Sequence, residues 1–225
     1  MLFRSVNANG SAGSLSWPDN CGKIEPGWWL NDFNMDFKDV ATDFTTGFIP
    51  GGGSGTNAYI LTGINHEYVV NGNFKLTGSP KTILVIGGEV KLWVKGNLSI
   101  PATWEVKIEP GSVLKLYVGD TTGPAVSGDF GKVSSSAGPA ATFQYYGLPT
   151  NDSVTWGGNN EFRGTVYAPQ ATFKLNGGGS GTFDYMGACV VNQVVMVGKF
   201  QFHYDEALKR KDPYAGYTAG TWREL

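Results

Sequence analysis

Near the end of the chain, His203 is followed directly by Tyr204, Asp205 and Glu206 in the stretch FHYDEAL, residues 202–208. It is one of only 2 histidines. In a strand, positions 203 and 205 share a face, so His203 could act as a general base oriented by Asp205 or Glu206. No serine or cysteine nucleophile can be identified to complete a triad. A structural reading absorbs more of the residues. KFQFHY ends a strand, Asp205 is the N-cap of a short helix, Glu206 falls in its first turn and Lys209–Lys211 in its last, and Pro213 stops it. The sequence therefore assigns no catalytic residue and gives Asp205 the task of opening a lid.

A second group of oxygen ligands lies far upstream. Asp32, Asn34 and Asp36 match the first three ligand positions of a calcium loop, and Asp43 falls at the twelfth. Phe37 stands where the sharp turn needs glycine, and Asp43 where a bidentate glutamate is usual. The same carboxylates read equally as the outer side of a strand or helix, so calcium is the weak alternative and no cofactor is expected. The glycine runs PGGGSG and NGGGSG lack the Lys-Ser/Thr that ends a phosphate loop, and read as turns. Cys21 and Cys189 are too few for a metal motif. They form one disulfide if the protein is extracellular, or remain two unpaired buried thiols.

Trp93, Trp104 and Trp156 could stack on sugar rings if exposed, although aromatics in strands more often pack in a core. Glu105, Glu109, Asp120, Asp129, Asp152 and Glu161 share no common register. A polysaccharide-cleaving site needs paired carboxylates on one groove, so an enzyme is the weakest functional class.

The elements that must position these residues follow from composition and period. Aromatics make up 13% of the chain and charged residues 16%, beside 33 glycines; an average soluble domain carries roughly 25% charge. That balance fits short strands cut by tight turns rather than a helical bundle. Net charge is −2 and no basic cluster exceeds KRK at 209–211, so nucleic acid is not expected as a partner. No apolar run suggests a membrane span, and Met1–Gly13, polar and glycine-rich, does not read as a secretory signal.

Residues 1–58 form a loop-rich arm, in which the segment 28–44 fits helical and strand spacing alike. From 59 to 204 the period is two: in EVKLWVKGN, Val90, Leu92 and Val94 alternate with Glu89, Lys91 and Lys95. A small element recurs as NGNF, KGNL, SGDF, NNEF, SGTF and VGKF, each a turn followed by one large apolar residue, at irregular spacing. This predicts a solenoid whose coils carry loops of different length and share one interior. Residues 205–225 are the capping helix and tail.

IEPGSVLKLYVGD (108–120), FRGTVYAPQATFKLNG (162–177) and FHYDEAL together resemble an uncharacterised bacterial β-solenoid domain, with the match running from about Tyr68 to Leu208. That domain is often found at the C-terminal end of proteins related to type IV pilus assembly and of other cell-envelope proteins. The resemblance implies an all-β, right-handed parallel β-helix at the cell surface, with no established catalysis. Pilin-like relatives begin with a hydrophobic helix, a pattern that residues 1–58 do not show.

The expected function is structural: a non-enzymatic building block of the bacterial envelope or cell exterior, in a filament or pilus-like assembly. Self-association or contact with other envelope proteins would follow, because the ends of a solenoid are open sheet edges. The arm would pack on its own body or on a neighbour's. A carbohydrate-binding or adhesive module is the alternative.

Overall fold

In a computed structural model of the chain, residues 37–48, 50, 57–63, 67–78, 81–135, 138–157, 161–177 and 182–210 are described. The chain divides into two compact units, Met1–Lys38 and Asp39–Leu225. Of the first, only Phe37 and Lys38 are among the described residues. Asp32, Asn34, Asp36 and Cys21 lie outside them.

The second unit is a parallel β-solenoid. Its strands come in triplets: β1 (Tyr59–Thr62), β2 (Glu67–Val70) and β3 (Phe74–Lys75); β4 (Thr82–Ile86), β5 (Glu89–Val94) and β6 (Leu98–Ser99); β7 (Glu105–Ile108), β8 (Val113–Val118) and β9 (Val126–Phe130); β10 (Lys132–Ser135), β11 (Phe143–Gly147) and β12 (Asn151–Gly157). Each strand pairs in parallel with its counterpart in the next coil, so β1-β4-β7-β10 build a first face, β2-β5-β8-β11 a second and β3-β6-β9-β12 a third. Two long strands continue the stack. β13 (Phe162–Asn176) bends between Ala168 and Thr172, its first half pairing with β11 and its second with β12. Pro169, which cannot donate to a ladder, falls in that corner. β14 (Thr182–Val197) lies on β13 along both faces, and β15 (Lys199–His203) pairs with its beginning.

Alternation decides what enters the core. On β5, Val90, Leu92 and Val94 are buried in the interior while Glu89 is exposed and Lys91 half-buried. In-register neighbours then stack into ladders running the length of the solenoid, such as Tyr68–Leu92–Leu116–Tyr145–Val166–Cys189. The turns are made locally: Ser112 N donates to Glu109 O at 3.0 Å, and Gly111, at φ +79°, takes the left-handed position after Pro110. Other glycines provide room. A Cβ on Gly164 would lie 2.7 Å from Cδ1 of Phe143 and 3.0 Å from Cζ of Phe162, so bulk in one coil is matched by its absence in the next.

The recurring turn element does not occupy one register. Phe74 of NGNF aligns with Leu98 of KGNL on the third face, but Leu98 aligns with Gly128 of SGDF rather than with Phe130. Phe183 of SGTF and Phe200 of VGKF align with each other in the pair β14–β15. The element thus marks two different corners. The large apolar residue points into the interior each time because a turn followed by an inward step is the local requirement at both.

Candidate functional site

The arm and the C-terminal end of the solenoid are the two places where side chains are brought together beyond the demands of the core. Outward-facing residues of the second face form a register line Val69–Trp93–Tyr117–Tyr146–Tyr167. Phe44 lies edge-on against Trp93 (6.0 Å between ring centres) and Tyr117 (5.8 Å), and Tyr117 stacks on Tyr146 at 4.9 Å. Phe48 completes the edge of β2, its N–H donating to Glu67 O at 2.7 Å and its O accepting from Val69 N at 2.9 Å. Gln170 Nε2 donates to Asp39 Oδ1 at 2.9 Å. Residues 39–48 therefore cross the second face from a late coil to the first and pack on their own solenoid, with no helix within 39–48.

Charges beside this cover are paired. Lys91 Nζ lies 2.6 Å from Asp43 Oδ2 and 3.3 Å from Glu67 Oε1. The hydrogen bond from Lys91 holds the Asp43 carboxyl below its ordinary range, and the same bond raises Lys91. A groove of about 540 Å³ lies alongside, lined by Thr46, Gly47, Phe48, Glu67, Glu89 and Lys91, among others. Asp43 is thus committed to a lysine. No cluster of three or more metal-ligating side chains occurs among the described residues.

The three tryptophans do not form a sugar platform. Trp93 and Trp104 are buried, and Trp156 has no exposed surface. Trp93 faces outward but is covered by Phe44, its indole N–H donating to Gly119 O at 2.7 Å. Trp104 and Trp156 point into the core. Stacking on a sugar required exposure, and these positions have little: alternation places two of them inside and the arm covers the third.

The histidine cluster is dispersed. His203 Nε2 lies 3.2 Å from Asp184 Oδ1 on the neighbouring strand. Asp205 turns elsewhere: Oδ1 accepts from Ala207 N at 2.9 Å, opening the 3-10 helix Glu206–Arg210, and Oδ2 accepts from Ala140 N at 2.7 Å. Ala140 begins the buried 3-10 turn Ala140–Thr142, so Asp205 fastens the end of the chain to an earlier coil.

Among the described residues, the interior ladders stop at the C-terminal end. Phe74–Leu98–Gly128–Val154–Phe173 ends at Val194, and Phe130–Trp156–Leu175 ends at Met196. Val154, Trp156, Phe173 and Leu175 are wholly buried, whereas Val194 is 38% and Met196 47% exposed. Cys189, Val191, Phe200 and Phe202 are the matching last rungs of the other faces, all half-buried. Phe202 stacks on Tyr185 at 4.3 Å. Burial pushes the Cys189 thiol up to about 11, so it is an uncharged, unbridged apolar rung rather than a nucleophile. The opposite end is closed: Leu61, Tyr68, Phe74 and Leu76 of the first coil are all buried, and the Tyr68 hydroxyl accepts from Thr62 N at 3.1 Å. Sequence reading expected open edges at the solenoid ends but did not identify Val194 and Met196 as the residues that form this one. Its signal is the run ACVVNQVVMVG, 188–198, eleven residues without a charge.

Among the described residues no helix is long and apolar enough to cross a membrane. No curated protein and no solved structure matches the chain. Residues 53–211 match the model of a family described as a domain of unknown function, DUF7305, and the chain belongs to that family.

Proposed function

We propose that the chain is a non-enzymatic structural module of the bacterial cell surface or envelope, a stiff solenoid that joins an assembly through its C-terminal end. The observation that carries this reading is the exposure of Val194 and Met196, which end two otherwise fully buried interior ladders. An apolar core cut open at one end and sealed at the other favours a protein neighbour on the open side. The described part of the arm is spent on its own body, which moves the association surface from the arm to the end of the stack. The resemblance to domains of pilus-related and envelope proteins points to the same setting.

Sedimentation of the purified chain over a range of concentrations tests the association. A concentration-dependent increase in mass is expected, abolished by Met196→Lys while the far-ultraviolet spectrum stays that of a β-protein. A strictly monomeric chain overturns the assembly reading. Surface biotinylation of intact cells tests the location, and a chain labelled only after lysis overturns it.

A further inference from the structure

The open end has a backbone edge as well as an apolar face, and the edge specifies its partner. Val197 O accepts from Gly177 N at 2.9 Å, so the polar groups of Val197, and by alternation those of Val195 and Gln193, point back towards β13. The N–H and C=O of Val194 and Met196 point the other way, into the position of the next rung. Along the beginning of β14 that position is taken by β15; on the third face no described strand follows Gln193–Val197. Exposed edges are normally protected by charge, proline or a bulge. β15 carries Lys199 and His203, whereas Gln193–Val197 reads QVVMV, with none of these.

The geometry points to a second copy of this chain as the occupant, docked tail to tail so that Gln193–Val197 pairs antiparallel with itself about a two-fold axis at Val195. Resting on the assembly reading above, this names the partner and the geometry. An axis at Val195 sets Val194 of one copy opposite Met196 of the other. Both free residues of each copy then exchange hydrogen bonds, four in all by symmetry. Val194 and Met196 of the two copies fall on one face of the joined sheet and continue the interior. A solenoid climbs about one strand spacing, ~4.8 Å, per coil. The same axis therefore brings β15, one rung further on, opposite the partner's stretch 187–191.

The other occupants fit less well. A head-to-tail stack would match this five-residue edge to β3, a two-residue strand, and would meet a second face already closed by Phe48. The chain's own C-terminal sequence, KDPYAGYTAGTWREL, has Pro213, Gly216 and Gly220 spaced so that no five-residue strand avoids them until its last residues, TWREL, which carry two charges.

The test uses the full chain with Cys21 and Cys189 replaced by alanine. Val195→Cys places one thiol at the two-fold axis, at a pair that is not hydrogen-bonded and where side chains approach most closely. Mild oxidation is expected to convert most of the protein to a covalent dimer, with no larger species. Lys174→Cys, one coil inward on the same line, is expected to give at least tenfold less. The same chain without either new cysteine should sediment as a dimer, and Met196→Lys should return it to a monomer. Fibres or larger oligomers in which Val195→Cys does not cross-link overturn the two-fold pairing while leaving the assembly reading intact. A monomer that dimerises only when 211–225 is deleted shows that the tail covers the edge, and overturns the proposal. A monomer under every condition overturns both.

Discussion

Asp43 and Lys91 stand 48 positions apart in the chain, and their side chains meet at 2.6 Å on the outside of the solenoid. Beside them Phe44 lies edge-on to Trp93, so the arm is held by one ion pair and one aromatic contact at adjacent residues. The two contribute unequally. The Asp43 side chain is 63% exposed, and a pair of that kind is worth at most about 1 kcal/mol. Phe44 is 6% exposed, and burying a phenylalanine contributes about 1.5–3 kcal/mol. The ring supplies the energy and the ion pair selects the register.

Phe44→Ala should therefore cost about 2–4 kcal/mol, against less than about 1 kcal/mol for Asp43→Asn. Chemical unfolding measures both. Hydrogen exchange at Val69, whose N–H is held by Phe48 O, should accelerate in Phe44→Ala. Equal stability losses in the two variants would show that the aromatic cover contributes nothing beyond the charge.

Stability should also fall in alkali. Desolvation by burial, aided by the charges of Asp43, Glu89 and Glu67, pushes Tyr117 up to about 12. Burial places Tyr145 and Tyr185 well above the ordinary value too. A group whose folded pKa is raised contributes fully below its unfolded pKa, near 10 for tyrosine, and loses that contribution as pH rises through the folded value. The urea midpoint should hold steady to about pH 9.5 and drop from about pH 10 towards 12. Asp43 and Glu105 act in the opposite direction. Their lowered pKa values add stability above about pH 4 that is lost as pH falls further. A folded protein in which every tyrosine ionises near pH 10 by absorbance would contradict the buried assignments.

The parts of this architecture legible in the sequence are those with a local cause. Val90, Leu92 and Val94 alternate with charged neighbours because one side of β5 faces the core, and that pattern survives in any fold using the strand. Proline and glycine at 110–111 carry their turn with them. The fate of Trp93 was not legible. Its side chain points outward, as alternation requires, and it is buried only because Phe44 arrives from 49 positions upstream. The register of the turn element was obscured for a related reason. Coil length is set by loops that vary, so NGNF and SGDF look alike in the chain while standing two residues apart in the ladder. The open end needed the pairing itself, since only the ladders show that Val194 and Met196 are last rungs.

Asp205 links two segments, and its substitutions should separate them. Asp205→Ala removes the acceptor of both Ala207 N and Ala140 N, and should cost about 0.5–2 kcal/mol, as for a lost N-cap. Asp205→Asn keeps one carbonyl oxygen and can satisfy only one of the two donors. Exchange at Ala140 and Ala207 should therefore be fast together in the alanine variant, and at only one site in the asparagine variant. Protection retained at Ala140 in Asp205→Ala would mean that the 3-10 turn does not depend on this tether.

Gly128 and Tyr145 offer the sharpest test of how the interior is packed. A Cβ on Gly128 would run into the Tyr145 hydroxyl, and the tyrosine cannot withdraw. Its ring is wholly buried and its hydroxyl donates to Asn151 Oδ1 at 3.2 Å. Asn151 is itself buried, with Nδ2 donating to Val126 O and Ser153 O. Gly128→Ala should cost about 1–3 kcal/mol through overpacking. Tyr145→Phe should cost about 1–3 kcal/mol, because Asn151 Oδ1 loses its donor. The double variant should be more stable than the sum of the two by over about 0.5 kcal/mol, since removing the hydroxyl takes away the closest clash and leaves the new methyl tight only against the ring carbon Cζ, 2.8 Å away. Gly128 does not occupy the left-handed region, so alanine meets no backbone penalty there that could mask the coupling. A cycle that closes additively would mean that the glycine is required for some reason other than the tyrosine facing it.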